Sequence, residues 1–237
     1  MWSIAKRSYQ KELLDGSDIP FMDIKRNMQE LEFINRYLGG HAITLEGVNR
    51  LIKDYDERQP IKIVEMGCGG GDNLNAIHNW ALKRNIPISL TGIDWNEECI
   101  QYASSRYENE NIRFIHSDYR YVIFKEKPDI LFASLFCHHF TDEELVEMLQ
   151  FMKRNSALGF FINDLHRHPV AFYLIKWLTR LFSKSYLVKN DAPLSVSRSF
   201  VRDDWRYLMK QAHISDYSCE WKWAFRWLVS VHSYAVS

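Results

Sequence analysis

Short runs of apolar, largely β-branched or aromatic residues recur along the middle of the chain: Ile61 to Met66, Ile88 to Ile93, Ile112 to His116, Asp129 to Leu135 and Leu158 to Ile162. Each has the length of a strand, and helical stretches beginning near Asp72, Asn96 and Asp142 lie between them. Strands alternating with helices predict βαβ units and a parallel sheet. Thr141, with Glu144 three positions on, predicts a capping box at the start of the third of these helices.

On either side the pattern changes. From about residue 7 to 58 the chain is charged and helical in character, with Leu31, Ile34, Tyr37 and Leu38 preceding a break at Gly39 and Gly40. This predicts helical decoration over residues 1–58, ahead of a main domain over 59–237. The stretch 167–200, before a helix near Asp203, is an insertion of about 35 residues, too long for a simple connection and so a candidate lid. It contains PVAFYLIKWLTRLFSKSY, an apolar helix with Lys176, Arg180 and Lys184 at helical spacing. A lid, a membrane-surface helix and a helix packed on the domain with a solvated basic edge all fit that pattern. The tail ISDYSCEWKWAFRWLVSV predicts two strands and a short turn, an antiparallel hairpin at the edge of the sheet.

With 237 residues, 46% of them hydrophobic, the chain suffices for one large α/β domain. Its 30 basic residues offset 30 acidic ones, so no overall field draws it to nucleic acid or an anionic surface. Cys68, Cys99, Cys137 and Cys219 form no Cys-x-x-Cys pair, which argues against a disulfide framework or a structural zinc site and for a cytoplasmic setting. The first residues show no secretory signal, and no apolar run approaches the roughly 18 residues of a membrane span. A soluble monomer or homodimer is expected, with peripheral membrane contact left open.

Chemistry concentrates in VEMGCGGGDN, residues 64–73, where an apolar strand gives way to a helix. Gly67, Gly69 and Gly71 permit a tight turn and close approach to a ligand, at the strand end where nucleotides bind in open α/β sheets. Asp94 ends the second strand in LTGIDWN, placed to accept hydrogen bonds from ribose hydroxyls, and Asp118 follows the third in FIHSDYR, placed for a base amino group. A nicotinamide cofactor is the rival reading, although the third glycine of its fingerprint would fall on Asp72.

The segments VEMGCGGG, GIDWN, HSDYR and PDILFASLFCHHF, in that order, resemble the successive motifs of class I S-adenosylmethionine (SAM)-dependent methyltransferases over roughly residues 60–165. The resemblance implies a Rossmann-like, doubly wound, mostly parallel seven-stranded sheet whose last strand is antiparallel. It also implies SAM as cofactor and S-adenosylhomocysteine (SAH) as product. By it, Glu65, Gly67, Cys68, Gly69 and Gly71 hold the methionine part, Asp94 the ribose, and Asp118 and Tyr119 border the adenine, with Trp95 and Leu135 completing the cofactor set. LEFINRYLGGH, NDAPLSVSRSF and AFRWLVSV further resemble small-molecule methyltransferases of the ubiquinone and polyketide-tailoring type. These imply an aromatic or polyketide-derived hydroxyl as acceptor, with an alkyl chain that the apolar helix would cover.

Methyl transfer requires alignment of the acceptor and, for a hydroxyl, removal of its proton. Histidine suits that role near neutral pH. His166 is the leading candidate base and His139 the second, with Asp164 as an orienting partner; a packing or cofactor-wall role is open for His138 and His139. His138, Arg198 and Asp191 are candidate substrate contacts. No cluster of hard carboxylate ligands surrounds these strand ends, so no metal is expected. SLFCHHF lacks the tetrad of amino-directed nucleic-acid methyltransferases, and a SAM-binding protein that has lost catalysis is the remaining alternative.

Overall fold

The computed structural model describes residues 4–16, 19–53 and 59–233. Strands form where the apolar runs lie: β1 (Ile61–Met66), β2 (Ile88–Asp94), β3 (Ile112–His116), β4 (Ile130–Ser134) and β5 (Gly159–Leu165), with β6 (Ser218–Lys222) and β7 (Arg226–His232) from the tail. They make one seven-stranded sheet in the order β3-β2-β1-β4-β5-β7-β6. β1 to β5 pair in parallel, and β7 enters antiparallel between β5 and β6. All of β4 is buried, and in β1 only Lys62 is exposed, as central strands covered on both faces require.

The helices are α1 (Phe21–Tyr37), α2 (Gly40–Leu51), α3 (Asp72–Leu82), α4 (Glu97–Tyr107), α5 (Asp142–Asn155), α6 (Pro169–Phe182), α7 (Tyr186–Arg198) and α8 (Arg202–Gln211). The break between α1 and α2 falls at Gly39, which adopts a left-handed conformation (φ 80°). Residues 54–58 of the expected N-terminal helical segment lie outside the described residues. α2 is more than decoration: Ile43, Val48 and Leu51 share one buried cluster with Ile61, Ile63, Phe132 and Phe161 of the sheet. The opposite face is covered by α5 and α8 through Leu145, Met148, Leu149, Trp205 and Leu208. α5 opens with the expected capping box, Thr141 Oγ1 accepting from Glu144 N–H and Glu144 Oε2 from Thr141 N–H at 2.8 Å.

The apolar helix of the insertion is shorter than its sequence suggests. Ser183–Ser185 interrupts it, so Lys184 does not share a helical stripe with Lys176 and Arg180. The break has a tertiary cause: Glu30 of α1 accepts hydrogen bonds from Ser183 Oγ, Lys184 N–H and Ser185 N–H, and Ser185 then caps α7. No helix among the described residues is long and apolar enough to cross a membrane.

Candidate active site

The chain leaves β3 at one edge of the sheet and returns as β4 beside β1, so β1 and β4 diverge at their carboxyl ends and open a crevice there. The loop after β1 is fixed by its own backbone, Gly67 N–H and Cys68 N–H both donating to Ile93 O at 2.8 and 3.1 Å. Asp94, at the end of β2, accepts from Gly69 N–H at 2.8 Å and from Asn96 N–H at 2.9 Å. Burial pushes its pKa up, and these two N–H groups oppose the shift.

Glu65 lies beneath the loop and is fully enclosed. One carboxylate oxygen accepts from Asn73 Nδ2 at 2.9 Å, while Oε2 is buried without a partner. Burial, then the nearby charge of Asp72, carries its pKa well above the ordinary carboxylate range. Asp118 caps the turn Tyr119–Tyr121 and pairs with Arg120, which holds its pKa low. Tyr119 stands edge-on to Phe136 and Phe140. Leu135 carries a positive φ of 52°, a strained backbone position of the kind that clusters at ligand sites.

These groups share a cavity of about 740 Å³. Glu65, Gly67, Cys68, Gly69, Asp94, Trp95, Asp118, Tyr119 and Leu135 line it. Gly71 does not: it faces Phe114 and Ala103 at the start of α3, where any Cβ would lie 2.8 Å from the Phe114 ring. Its φ of 76° and this close approach both require glycine in the loop.

The cavity also holds a cluster that sequence spacing could not show. His138 Nδ1 lies 2.8 Å from Asp164 Oδ1, and both side chains are buried. His139 Nδ1 lies 2.9 Å from Asp15 Oδ1, contributed from 124 positions earlier in the chain. Glu12 completes the group: its oxygens stand 3.6 Å from His138 Nε2 and 3.9 Å from His139 Nε2. Burial raises the Glu12 pKa to about 7, against the opposing effects of His139 and the Ser195 hydroxyl. Asp164 behaves in the opposite way. Burial would raise its pKa, but the charge and hydrogen bond of His138 and the Leu165 N–H hold it below its ordinary value.

Glu12 and Asp15 reach the site because the N-terminal segment is strapped across the cavity. Arg7 binds Asp142 and the carbonyl of Phe140, and the backbone N–H groups of Leu13 and Leu14 donate to Asp191 at 2.9 and 3.0 Å. Asp191 lines the cavity but is committed to this turn. Arg198, a candidate substrate contact, is buried outside the cavity lining. Its guanidinium donates to the carbonyls of His138, His139 and Gln10, stapling the strap to the histidine turn.

His166, the leading candidate base, is also outside the cavity lining. Its N–H pairs with Phe225 O beyond the end of β5, and its ring stacks edge-on to Trp227 with Nδ1 buried and unpartnered. Burial, with His168 and Arg167 nearby, lowers its pKa to about 4. An unfolded chain takes up this proton near pH 6.5, whereas the folded chain resists until about pH 4. Stability should therefore fall as pH drops through that window, and His166→Phe should flatten the slope in urea unfolding at pH 7 and pH 5. An unchanged slope would show that the ring is protonated within the fold.

α6 and α7 roof the cavity with Leu174, Ile175, Leu178 and Val196, while α1 contributes Met28, Leu31 and Ile34. The outer side of α6 is apolar too, with Tyr173, Trp177, Leu181 and Phe182 exposed.

Residues 63–157 match the family described as Methyltransferase domain. The structure is similar to the plantazolicin methyltransferase BpumL in complex with SAH, at 20% identity over 84% of this chain and 79% of that one, with a TM-score of 0.60. It is similar also to human N-acetylserotonin methyltransferase in complex with SAM, at 15% identity over 90% of this chain and 56% of that one, TM-score 0.61. A third likeness is to magnesium protoporphyrin IX methyltransferase (ChlM) from Synechocystis PCC 6803 with bound SAH, at 13% identity over 84% and 86% of the two chains, TM-score 0.55. Residues 63–157 thus match a methyltransferase domain, and the chain has the fold of the SAM- and SAH-bound methyltransferases it is similar to.

Proposed function

We propose that the chain transfers a methyl group from SAM to a hydroxyl of an aromatic or polyketide-derived small molecule in the cytoplasm. The observation that carries this reading is one cavity joining the loop after β1 to an apolar chamber that ends at Glu12, His138 and His139. Its volume of about 740 Å³ lies in the upper part of the range for small-molecule sites, room for a nucleoside and an acceptor together.

The residues fit the cofactor. Glu65 Oε2, buried and unpartnered, offers an acceptor to the ammonium of a methionine moiety, and Asp94 stands at the cavity wall to accept from ribose hydroxyls. Bound SAM supplies an electrophilic methyl group on a sulfonium. An acceptor oxygen held in line would take that methyl as the carbon–sulfur bond breaks, the bonding pair staying on sulfur. The proteinʼs task is to align the acceptor and to take up the hydroxyl proton, which we assign to the Glu12, His138 and His139 end in place of His166. The insertion 167–200 acts as the lid, and its apolar lining suits an acceptor with an alkyl chain.

A nicotinamide dinucleotide fits less well. Its pyrophosphate would meet Asp72 in the first turn of α3, whose carboxylate holds Asn35 Nδ2 at 3.0 Å and His41 Nε2 at 2.7 Å.

Calorimetric titration should show binding of SAH and none of NADH. Asp94→Ala should weaken SAH by about 10- to 150-fold, the loss of hydrogen bonds worth about 1.5–3 kcal/mol to a charged acceptor. Equal affinity in the variant would remove Asp94 from the site. NADH binding alone would overturn the methyltransferase reading, and SAH binding without turnover of any acceptor would favour a SAM-binding protein without catalysis. In a panel of alkylphenols, quinols and fatty acids, turnover of the acids alone would refute the hydroxyl acceptor.

A further inference from the structure

We propose that Glu12, His138 and His139 form a binding site for a divalent transition-metal ion of zinc(II) type at the substrate end of the cavity. The three side chains offer a carboxylate oxygen and two imidazole nitrogens, all within 4.8 Å of one another. Around a tetrahedral ion with bonds of about 2.0–2.1 Å, ligand atoms lie about 3.4 Å apart. The observed 3.6 Å from Glu12 to His138 Nε2 and 3.9 Å from Glu12 to His139 Nε2 are close to that spacing. The first is to Oε1, which also accepts from Ser195 Oγ at 2.8 Å, and the second to Oε2; both exceed hydrogen-bond length, so neither oxygen is bonded to a histidine.

The outer partners point the same way. A metal-binding histidine turns one ring nitrogen to the ion and commonly gives the other N–H to a carboxylate, which fixes the tautomer and raises ligand basicity. Both histidines here have that arrangement: Nδ1 of His138 is bonded to Asp164 and Nδ1 of His139 to Asp15, which leaves both Nε2 atoms toward Glu12. The His138 side chain is only 3% exposed and lines the cavity, so its Nε2 faces the cluster and not the outer surface.

Charge is the third consideration. Glu12, Asp15 and Asp164 bring three carboxylates together, with Arg198 3.7 Å from Glu12 and buried Arg226 acting on Asp164. The excess is negative, which favours a bound cation. Two imidazoles and one carboxylate suit zinc(II), whereas magnesium and calcium favour all-oxygen shells. Three protein ligands leave the fourth position open to the cavity, as catalytic zinc sites do. Resting on the methyl-transfer reading, the role follows: Glu12, His138 and His139 would deal with the hydroxyl proton through the ion they hold, which would lower the pKa of the acceptor hydroxyl so that its proton passes to water in the cavity.

The test is metal titration of the full chain after treatment with a chelator, with zinc(II) by calorimetry and cobalt(II) by visible absorption. The expected result is one saturable equivalent, with the intense ligand-field bands of a tetrahedral site. Asp15→Asn should weaken zinc(II) by about 10- to 100-fold, the usual cost of losing an outer partner. Glu12→Gln and His139→Ala, checked for folding by circular dichroism, should each lose more than that. His232→Ala, an exposed histidine at the end of β7, should bind as the unaltered chain does. Absence of saturable binding, or equal affinity in Glu12→Gln and His139→Ala, would overturn the site. Metal binding in a chain that fails to bind SAH would preserve the site and refute only its role in methyl transfer.

Discussion

Alanine at Asp164 should lower folding stability by about 3–5 kcal/mol, the usual cost of taking a carboxylate away from buried partners that depend on it. The carboxylate is fully buried and accepts three hydrogen bonds, from His138 Nδ1 at 2.8 Å, His138 N–H at 3.3 Å and Leu165 N–H at 2.7 Å. Alanine leaves all three donors in a space closed to water. It also removes an opposing charge from Arg226, itself buried, whose pKa is drawn down to about 10 by burial and supported by Asp164 and Asp72. Asn at the same position keeps the shape and one acceptor, so Asp164→Asn should fall between the two. Urea unfolding followed by circular dichroism measures the difference. A loss below about 1 kcal/mol would mean that the pair is solvated and that His138 is not held in place by it.

The sheet was readable because its strands are continuous apolar runs bounded by turns. Ile61–Met66 and Ile112–His116 begin and end where the sequence pattern places them, β2 extends beyond it by one residue and β5 by three. The hairpin was readable from its aromatic and β-branched content, but not the insertion of β7 between β5 and β6, which is a property of the chain path. The end of α6 depends on Glu30, far away in sequence, so helical periodicity alone ran past it.

At the cavity, the place of the strand-end motif residues was legible and the grouping of Glu12 and Asp15 with His138 and His139 was not. The motif residues are tied to strand ends, and a strand end in a parallel sheet fixes where a side chain stands. His166 stands only one residue past β5, yet its N–H is drawn to Phe225 and its ring to Trp227, away from the crevice. Glu12 and Asp15 arrive on the N-terminal strap, where a lone Glu and Asp in a charged segment read as solvated. Arg7, Asp191 and Arg198 carry them to the histidines, and those contacts exist only once the chain is folded.

Gly67→Ala should cost about 2–5 kcal/mol, from roughly 1–2 kcal/mol for a Cβ in left-handed backbone and 1–3 kcal/mol for overpacking. The residue has φ 68°, and a Cβ there would stand 2.1 Å from the Phe136 ring. The ring has little room to yield, since it packs edge-on against both Tyr119 and Phe140. The loop would have to shift instead, and with it the hydrogen bond from Gly67 N–H to Ile93 O at the foot of the cofactor wall. Thermal unfolding should show a lower midpoint, and SAH should raise that midpoint far less than in the unaltered chain. Gly70→Ala is the comparison: its backbone is outside the left-handed region, and its Cβ would meet Met28 Cβ at 3.2 Å and the Tyr102 ring at 3.3 Å, tight contacts rather than an overlap, so its loss should be smaller. Equal losses at the two positions would show that the loop tolerates neither side chain for a reason other than backbone sign and the Phe136 wall. A negligible loss at Gly67 would mean that Phe136 moves freely, and the wall between the cofactor loop and the acceptor chamber would then be mobile rather than fixed.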